Sequence, residues 1–315
     1  MRNVPRMGAR KILIDTDPGV DDAMAIFYAL ASPELDVVGL TTIFGNADIE
    51  TCTTNALRLL EIAGRPDIPV ARGAHRPLAM EFRGPADFVH GTDGQGNSFL
   101  PSPSTLAVAT DAARFIVDAA RAAPGEITLV PIGPLTNVAK AMLAEPDLCN
   151  LLAGIVLMGG AAFVPGNASP VGEANILNDP EAAEIVFGAT CPLVMCGLDV
   201  TEKTVLPASS FARIATAGNP RAQHIARILP FYADFNRGNG VDGIYVHDST
   251  VVSYLLAPEL YGTVSSPVRV DCGQSVGRGK TFADRRANRP VVTICTTVDA
   301  AAVVEMELTR LTMPA

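Results

Sequence analysis

The sequence predicts an α/β fold in which a mostly parallel central sheet is flanked by helices on both faces. Short apolar runs alternate with longer amphipathic stretches, which is typical of repeated β–α units rather than of a sandwich or a bundle. Of the 315 residues, 48% are hydrophobic and only 18% are charged, which excludes a mainly disordered chain. No linker, repeat or low-complexity block divides the sequence, so we expect one domain over residues 1–315.

The apolar runs predict the strands, and the amphipathic stretches predict the helices. From Asp48 to Ala63, for example, apolar residues recur at helical spacing, and Gly64 and Pro66 follow as stop signals. The predicted strands are Lys11–Asp15, Val37–Ile43, Ile68–Ala71, Ile127–Ile132, Ile155–Met158 and Leu193–Cys196, and the further helices are Asp111–Ala122, Thr136–Ala144, Pro180–Phe187 and His224–Asn236. In a parallel sheet the carboxyl ends of the strands share one edge, where we expect the active site.

Two segments do not fit the regular pattern. Residues Arg72–Pro103 are rich in Gly, Pro and Asp, and residues Asn236–Tyr245 read NRGNGVDGIY. Long irregular segments in a compact fold are usually functional or mobile, so both are candidate lids over the site.

Charge and hydropathy limit the partners. With 33 acidic against 24 basic residues the formal net charge is −9, which disfavours a nucleic acid polymer as partner. No apolar run reaches the ~20 residues that span a bilayer, so we expect no membrane partner. The stretch Met1–Arg10 is not followed by the apolar segment of a secretion signal. We therefore expect a soluble, cytoplasmic protein.

The six cysteines are scattered and contain no CxxC pair, which argues against a disulfide scaffold or a zinc knuckle. Most of them are expected to be reduced and buried.

The segment DTDPGVDDAMA, Asp15 to Ala25, follows the strand KILI directly and begins a helix. Four carboxylates within eight residues would repel one another in a crevice of low dielectric constant, so their clustering indicates a cation. Oxygen ligands suit a hard ion, calcium or magnesium. Helix capping is the alternative, but capping needs one Asp rather than four.

Two other interpretations of this segment can be tested on the sequence. An EF-hand loop that begins at Asp15 requires Gly and Glu where the chain has Val20 and Ile26, so it is excluded. A DxD-type phosphatase would use Asp15 as nucleophile and Asp17 as acid, but Gly19 departs from its pattern, which weakens that alternative.

Polar residues that could belong to a binding site also occur elsewhere in the sequence. His247-Asp248 precedes an apolar stretch that looks helical, and a lone His there is more often structural than functional. Asn, Glu and Asp follow several predicted strands, in TTIFGN, GPLTN, MGGA and GNASPVGEAN. Hydrogen-bond donors and acceptors of this kind fit the hydroxyl groups of a sugar. Asn and Gly are, however, also common in turns that have no binding role.

Taken together, these motifs resemble the inosine–uridine-preferring nucleoside hydrolases, which are metal-dependent N-ribohydrolases. The resemblance extends from Lys11 to about Glu307, and DTDPGVDD matches the DxDPGxDD signature of the family. The segments TTIFGN, GPLTN, MGGA, GN…E.N, HD and RGKTFADRR follow in the family order. The resemblance implies hydrolysis of ribonucleosides to ribose and a free base in nucleoside salvage, by a homodimer or homotetramer.

The resemblance also implies a calcium ion and two catalytic residues. The implied ligands are Asp17, Asp22, Asp248 and the backbone carbonyl of Ile132. Asp17 would also be the general base toward a water nucleophile, and His247 would protonate or polarise the leaving base. The chemistry is consistent, because an oxocarbenium-like transition state needs negative charge near the ring and a proton for the base. An ordinary His pKa near neutrality suits His247 to that role.

A further group would contact the substrate. The implied ribose-binding residues are Asp21, Asn46, Asn167, Glu173 and Asn175, with Met158 against the sugar and His90 near the leaving base. The chain departs from the family at Gly172-Glu173-Ala174-Asn175, where an aromatic residue on the 5′ side of the sugar is missing, and at Ser249-Thr250. Since the chain has no Trp, the base would stack on Phe231, Tyr232 or Tyr245.

A non-catalytic nucleoside or ribose binder is the alternative from a different functional class, and the presence of Asp17 and His247 argues against it. The preferred base does not follow from the sequence, since it depends on the two irregular segments.

Overall fold

The computed structural model describes residues 8–314, so the stretch 1–7, for which no secretion signal is predicted, lies outside the described residues. In chain order the helices and strands are β1 (Arg10–Thr16), α1 (Val20–Ala31), β2 (Leu35–Thr42), α2 (Ile49–Ile62), β3 (Val70–Arg72), α3 (Asp87–His90), α4 (Ala112–Ala122), β4 (Ile127–Pro131), α5 (Thr136–Ala144), α6 (Leu148–Leu151), β5 (Gly154–Met158), α7 (Ala174–Asn178), α8 (Pro180–Phe187), β6 (Leu193–Cys196), α9 (Leu198–Thr201), β7 (Val205–Pro207), α10 (Phe211–Thr216), α11 (Pro220–Gly238), β8 (Gly243–Tyr245), α12 (Ser249–Leu256), β9 (Tyr261–Ser266), β10 (Val268–Val270), β11 (Thr281–Ala283), β12 (Val292–Val298) and α13 (Ala300–Thr312), with 3₁₀ helices at Ala208–Ser210 and Pro258–Leu260.

Within the described residues the central sheet has eight strands, in the order β3-β2-β1-β4-β5-β6-β12-β9. All neighbouring pairs are parallel except β12 with β9, which is antiparallel at one edge. The strands β2 and β3 extend the sheet to one side of β1, and β4, β5 and β6 extend it to the other. The order therefore reverses between β1 and β4, which is where a crevice opens beyond the carboxyl ends of the strands.

Helices cover both faces of the sheet, as the sequence predicts. Successive side chains of β1 point to opposite faces: Ile12 and Ile14 pack with α1, α2, α11, α12 and α13, and Leu13 packs with α4, α5 and α8. Because both faces are buried, the centre of β1 (residues 12–14) and most of β4 are apolar. The predicted fold class is confirmed.

Each of the six predicted strands is present, with ends within two residues of the prediction, and the five predicted helices are also present. Helix α11 is longer than predicted. It begins at Pro220 because the side chain of Asn219 accepts a hydrogen bond from the Ala222 amide, and it continues to Gly238. The segment Asn236–Tyr245 is therefore not wholly irregular, since its end forms β8 against β7.

The sequence predicted no element after α12, whereas β9, β12 and α13 complete the sheet and one of its layers. Strand β9 lies at the edge and exposes much of its length, so it lacks the apolar run that marks a buried strand.

Most of the cysteines are free, as expected, and one pair is joined in a disulfide. Cys149 follows the start of α6, Cys191 precedes β6, and the structure joins them in a disulfide with their Cα atoms 4.6 Å apart. The remaining four cysteines, all of them in the described part of the chain, are free. A sequence separation of 42 gives no sign of this pairing, which arises because α6 lies beside the start of β6.

Within residues 8–314 the helices are all too short or too polar to cross a bilayer.

A buried acid in α13 lies beneath the start of α12. Glu307 is fully buried; its Oε1 accepts a 2.6 Å hydrogen bond from Ser249 Oγ, and its Oε2 has no partner among the described residues. Burial raises the pKa of Glu307 to about 8. The folded protein thus holds a proton on this group at pH values at which the unfolded chain releases it.

This raised pKa predicts a pH-dependent stability. From its ordinary pKa of 4.5 up to about 8, the folded state binds more protons at Glu307 than the unfolded state, so this group lowers the free energy of unfolding as the pH rises. Glu307→Gln should remove that contribution. We expect the melting temperature of the variant to gain at least about 2 °C relative to wild type between pH 5 and pH 8.

Calorimetry at several pH values measures this difference, and Glu259→Gln, at an exposed position, is the matched control. Parallel curves for Glu307→Gln and wild type would contradict the prediction.

Candidate active site

A cavity of about 730 Å³ opens beyond the carboxyl ends of the parallel strands. Its lining comes from the segments that follow β1, β2, β4 and β5, and from α11 and the turn between β8 and α12. The crevice predicted at the point where the strand order reverses is therefore present.

The predicted substrate-binding residues all line this cavity, although they come from distant parts of the chain. The cavity-lining residues that the sequence had singled out are Asp21, Asn46, His90, Ile132, Met158, Asn167, Glu173, Asn175, His247 and Asp248. Asp17 and Asp22 are buried close behind its surface.

Asp17 lies at the end of β1 between two glycines. Its Oδ2 accepts a 2.8 Å hydrogen bond from the Asn46 amide, whereas its Oδ1 is buried and finds no hydrogen-bond partner among residues 8–314. A Cβ atom at Gly45 or at Gly133 would collide with the Asp17 carboxylate. Glycine at both positions is what allows the backbone after β2 and β4 to approach this side chain so closely.

Asp22 caps the helix that it starts. Its Oδ1 accepts from Thr16 Oγ1 at 2.6 Å, and its Oδ2 accepts from the Gly19 amide at 3.0 Å and from Asn46 Nδ2 at 2.9 Å. Helix capping therefore explains one of the four carboxylates of the segment, and it leaves Asp15, Asp17 and Asp21 unexplained.

Three acids converge at the inner end of the cavity. Carboxylate oxygens of Asp21, Asp22 and Asp248 lie within 4.8 Å of one another, and all three side chains are buried. Like Asp17 Oδ1, Asp21 Oδ1 has no hydrogen-bond partner within the residues that the structure describes. Unpartnered buried carboxylate oxygens beside other carboxylates are what a hard cation requires, so the residues present fit a metal ion.

Burial and the neighbouring carboxylates raise the pKa values of these acids. Burial raises the pKa of Asp17 well above its ordinary value, and the neighbouring Asp22 and Asp21 raise it further. For Asp248, burial is again the largest cause of a raised pKa, followed by the charges of Asp21, Asp22 and Asp17. A bound cation would offset this repulsion and favour the ionised forms.

Asp15, the nucleophile of the phosphatase alternative, does not line the cavity. Its Oδ1 accepts from Thr41 Oγ1 at 2.6 Å and from Asn137 Nδ2 at 2.8 Å, and the side chain is fully buried. Burial raises the pKa of Asp15 to about 7. Neither Thr41 nor Asn137 lines the cavity, so the hydrogen bonds of Asp15 give no support to its role as the nucleophile of a phosphatase.

The carbonyl of Ile132 follows β4 and lies beside the side chain of Asn175. Asn175 Nδ2 donates to this carbonyl at 3.0 Å and also to the carbonyl of Met158 at 3.3 Å. A carbonyl oxygen has two lone pairs, so Ile132 keeps one for a second partner. These donations leave the amide oxygen of Asn175 free to accept a hydrogen bond.

Glu173 is the N-cap of α7 as well as part of the cavity wall. Its Oε1 accepts from the Asn175 amide at 2.8 Å, and its Oε2 accepts from Gly160 at 2.8 Å and Ile176 at 3.1 Å. Burial raises the pKa of Glu173, and the backbone donors act against that shift. The carboxylate is thus fixed in direction by three amides.

One departure from the family motif lies in the cavity wall beside Glu173. Ala174, which stands where the family commonly has an aromatic residue, lines the cavity, and its amide donates to Asn167 Oδ1 at 3.0 Å. This hydrogen bond ties the exposed Asn167 to the start of α7.

His90, at the end of α3, is held by the start of α1. Its Nδ1 accepts a 3.2 Å hydrogen bond from the Val20 amide, and its ring stacks on Tyr232 with centroids 5.4 Å apart. Burial, with a smaller contribution from His247, lowers the pKa of His90 to about 3. The ring is therefore neutral, and because Nδ1 accepts, its hydrogen is on Nε2.

His247 lies next to the acidic cluster and is held by α9. Its Nδ1 lies 2.8 Å from Thr201 Oγ1, and its ring is 5.2 Å from that of Tyr245. Burial lowers the pKa of His247 to about 4, so the expectation of a pKa near neutrality is wrong. At neutral pH this residue can polarise a leaving base as a neutral hydrogen-bond donor, but it is not an imidazolium.

The aromatic residues of the cavity differ in part from those predicted. Tyr232 and Tyr245 line it, whereas Phe231, on the same helix as Tyr232, is not among the lining residues. In its place the cavity has Phe235, one helical turn along α11, and Phe88 from α3, whose rings meet edge to face at 5.9 Å. A helix presents residues three and four apart on one face, which groups Tyr232 with Phe235 and excludes Phe231.

Two supporting residues were missed by the sequence analysis. Thr201 follows β6 in the segment GLDVT, and its position after a predicted strand is a signal that could have been used. Gln95 is fully buried; its Nε2 donates to the carbonyls of Pro18 and Gly19, and its Oε1 accepts from His224. It fastens the segment after His90 to the turn that carries the acids.

Comparisons with known proteins agree with this geometry. The model of the family described as inosine-uridine preferring nucleoside hydrolase matches residues 12–305. A probable uridine nucleosidase 2 of Arabidopsis thaliana is 42% identical, with 96% of this chain and 97% of that protein covered. The pyrimidine-specific ribonucleoside hydrolase RihA of Citrobacter koseri is 40% identical, with 96% and 98% covered.

Solved structures are also similar. The plant nucleoside hydrolase PpNRh1 has a TM-score of 0.94 and 38% sequence identity, with 97% of this chain and 99% of that one covered. The purine-preferring ribonucleoside hydrolase from Gardnerella vaginalis has a TM-score of 0.92 and 32% identity, with 96% and 98% covered. The prediction of an enzyme that hydrolyses the N-glycosidic bond of ribonucleosides is confirmed at this level, and the chain belongs to the inosine-uridine preferring nucleoside hydrolase family.

Proposed function

We propose that the chain hydrolyses ribonucleosides to ribose and a free base in this cavity, with Asp17 and His247 as its catalytic residues. One observation carries the proposal. Three buried carboxylates converge beside a cavity that two neutral histidines line, so negative charge and uncharged donors are both present where a glycosidic bond would lie.

This distribution suits the reaction. Departure of the base leaves positive charge on the ribosyl ring, and negative carboxylates near the ring stabilise that charge. Neutral donors stabilise the negative charge that develops on the base without adding repulsion toward the ring.

We propose calcium as the ion, held by Asp17, Asp22, Asp248 and the carbonyl of Ile132. Oxygen ligands and a flexible coordination number favour calcium over softer metals. When bound, such an ion lowers the pKa of water and orients sugar hydroxyl groups. The convergence of Asp21 with Asp22 and Asp248 supports a cation at this position and brings Asp21 close to the same hydroxyl groups.

Side chains of the chain carry out the proton transfer from water and the hydrogen bonding to the leaving base. Asp17 Oδ1, which accepts no hydrogen bond from residues 8–314, takes the proton from the attacking water. His247 donates toward the leaving base. His90 adds a second donor through Nε2, because its Nδ1 is already used by the Val20 amide.

The sugar is bound by the polar residues around it. Asp21, Asn46, Asn167, Glu173 and Asn175 supply acceptors and donors for hydroxyl groups. Met158 supplies an apolar surface under the ring.

We propose uridine as the preferred substrate. Relatives named uridine nucleosidase and pyrimidine-specific ribonucleoside hydrolase match nearly the full chain at 42% and 40% identity. Tyr232, Tyr245 and Phe235 provide the surfaces on which a base stacks. A homodimer or homotetramer and a cytoplasmic location stay predictions.

The first test is ribose release from uridine, inosine, cytidine and adenosine by purified protein, with and without a chelator. We expect uridine to give the highest kcat/KM and the chelator to abolish turnover, with calcium restoring it. Binding of uridine without any ribose release would favour the binding-only alternative. Restoration by zinc but not by calcium would contradict the proposed ion.

Asp17→Asn tests the general base. The variant keeps the size of the side chain but not its basicity, so we expect kcat for uridine to fall about 10²- to 10⁴-fold. Asp118→Asn, on the surface of α4, is the matched control and should retain wild-type kcat. A fall of less than about tenfold for Asp17→Asn would show that another group takes the proton.

Gly133→Ala tests the tight packing around Asp17. The added methyl group would collide with Asp17 Oδ1 and lie 2.8 Å from Ile43 Cγ2, which forces the carboxylate to move. We expect kcat/KM for uridine to fall at least about tenfold, since displacements of this size misplace a catalytic group. Gly218→Ala, where a Cβ meets no described atom within 4 Å, is the control. Equal activity of the two variants would contradict the packing argument.

A further inference from the structure

The loop 159–163 follows β5 and is held by side chains from three distant segments. The Gly160 amide donates to Glu173 Oε2 at 2.8 Å, and the Ala161 amide donates to Thr281 Oγ1 at 2.8 Å. The next two amides, of residues 162 and 163, both donate to the carboxylate of Asp199 at 2.9 Å. Four successive amides are thus satisfied by side chains rather than by a regular ladder.

Thr281 lies on β11, in the segment RGKTFADRR, to which the proposed reaction gives no role. The side chain is fully buried and packs on the loop, because a Cβ at Gly160 would be 3.1 Å from both Thr281 Cγ2 and Thr281 Oγ1. Gly160 has a φ of +83°, which glycine adopts without strain. The backbone of the loop can therefore lie directly against Thr281.

The residue before β11 contacts the chain on the other side of Glu173. Lys280 forms an antiparallel bridge with Gly172, the residue before Glu173. Consecutive residues 280 and 281 thereby hold the chain on both sides of the Glu173 carboxylate, through Gly172 and through the loop 159–163.

An ion pair fastens this segment to α8. Arg278 is nearly buried, its Nη2 lies 2.8 Å from both carboxylate oxygens of Glu181, and its Nη1 donates to the carbonyl of Cys272 at 2.6 Å. The turn before Thr281 is therefore anchored independently of the loop that Thr281 holds.

We propose that Thr281 is a positioning residue for Glu173. Its hydroxyl oxygen fixes the loop 159–163 so that the Gly160 amide holds Glu173 Oε2 and leaves the carboxylate directed at a sugar hydroxyl group. The inference rests on the proposed function, since it takes Glu173 to bind the sugar. Thr281 itself does not line the cavity, so it acts through the loop.

Thr281→Val tests this role, because it removes the acceptor oxygen and preserves the branched shape. We expect kcat/KM for uridine to fall about tenfold, mainly through KM, since a contact with the sugar is weakened. Thr281→Ser keeps the oxygen and should restore kcat/KM to within about threefold of wild type. Thr128→Val, at a buried threonine on β4, is the matched control and should leave activity unchanged.

Deoxynucleosides separate positioning from general destabilisation. The two compounds to compare are 3′-deoxyuridine and 5′-deoxyuridine, one of which lacks the hydroxyl group that Glu173 is proposed to bind. For that compound, the kcat/KM values of Thr281→Val and wild type should differ less than about twofold. The tenfold difference should persist for the other compound. If Thr281→Val does not fold, Thr281→Ala is measured with the same three substrates.

An equal loss for uridine and for both deoxynucleosides would overturn the inference, as would a kcat/KM for Thr281→Val within twofold of wild type. Either result would leave the proposed function intact, provided that wild type releases ribose from uridine. If wild type releases no ribose from any ribonucleoside, the proposed function fails first, and the inference fails with it.

Discussion

The structure depends on placing several carboxylates next to one another away from water. Asp17, Asp21, Asp22 and Asp248 are all buried, and their repulsion must be reduced by protons, by hydrogen bonds or by a cation. The surrounding chain supplies what hydrogen bonds it can, yet oxygens of two of these acids remain without a partner in the described part of the chain. A fold that tolerates this arrangement is one in which a cation contributes to the stability of the site as well as to the reaction.

The two histidines of the cavity differ electrostatically from the carboxylates. Burial lowers the pKa of His90 and His247 and keeps both neutral, and each ring has one nitrogen already engaged, by the Val20 amide and by Thr201. In the proposed reaction, fixed neutral donors beside fixed negative charge would create a field along the glycosidic bond, and they would not need to reorient as the bond breaks. The part of the wall proposed to bind the sugar is held in a similar way, because three backbone amides donate hydrogen bonds to the carboxylate of Glu173.

Much of the fold followed from local sequence because buried parallel strands and capped helices leave clear patterns. The continuous apolar run of β1 and the Asp48 cap of α2 are recognisable without any partner. Strand β9 was not recognised, because it is an exposed antiparallel edge strand that depends on its neighbour β12 for stability. Strand β12, which lies between β6 and β9, was missed as well. The same dependence hid the pairing of Cys149 with Cys191, which are brought together only by the packing of α6.

By itself the sequence determined which groups enter the site. The acidic turn, the His-Asp pair and the polar residues after the strands come together at one cavity, since parallel strands bring their carboxyl ends to one edge whatever the details of packing. Only the tertiary structure decided how those groups behave. The low pKa of His247, the exclusion of Asp15 from the cavity and the contact between Thr281 and the loop after β5 all arise from burial and from neighbours remote in sequence. Desolvation and hydrogen-bond geometry depend on residues that only folding brings together, so no local sequence pattern encodes them.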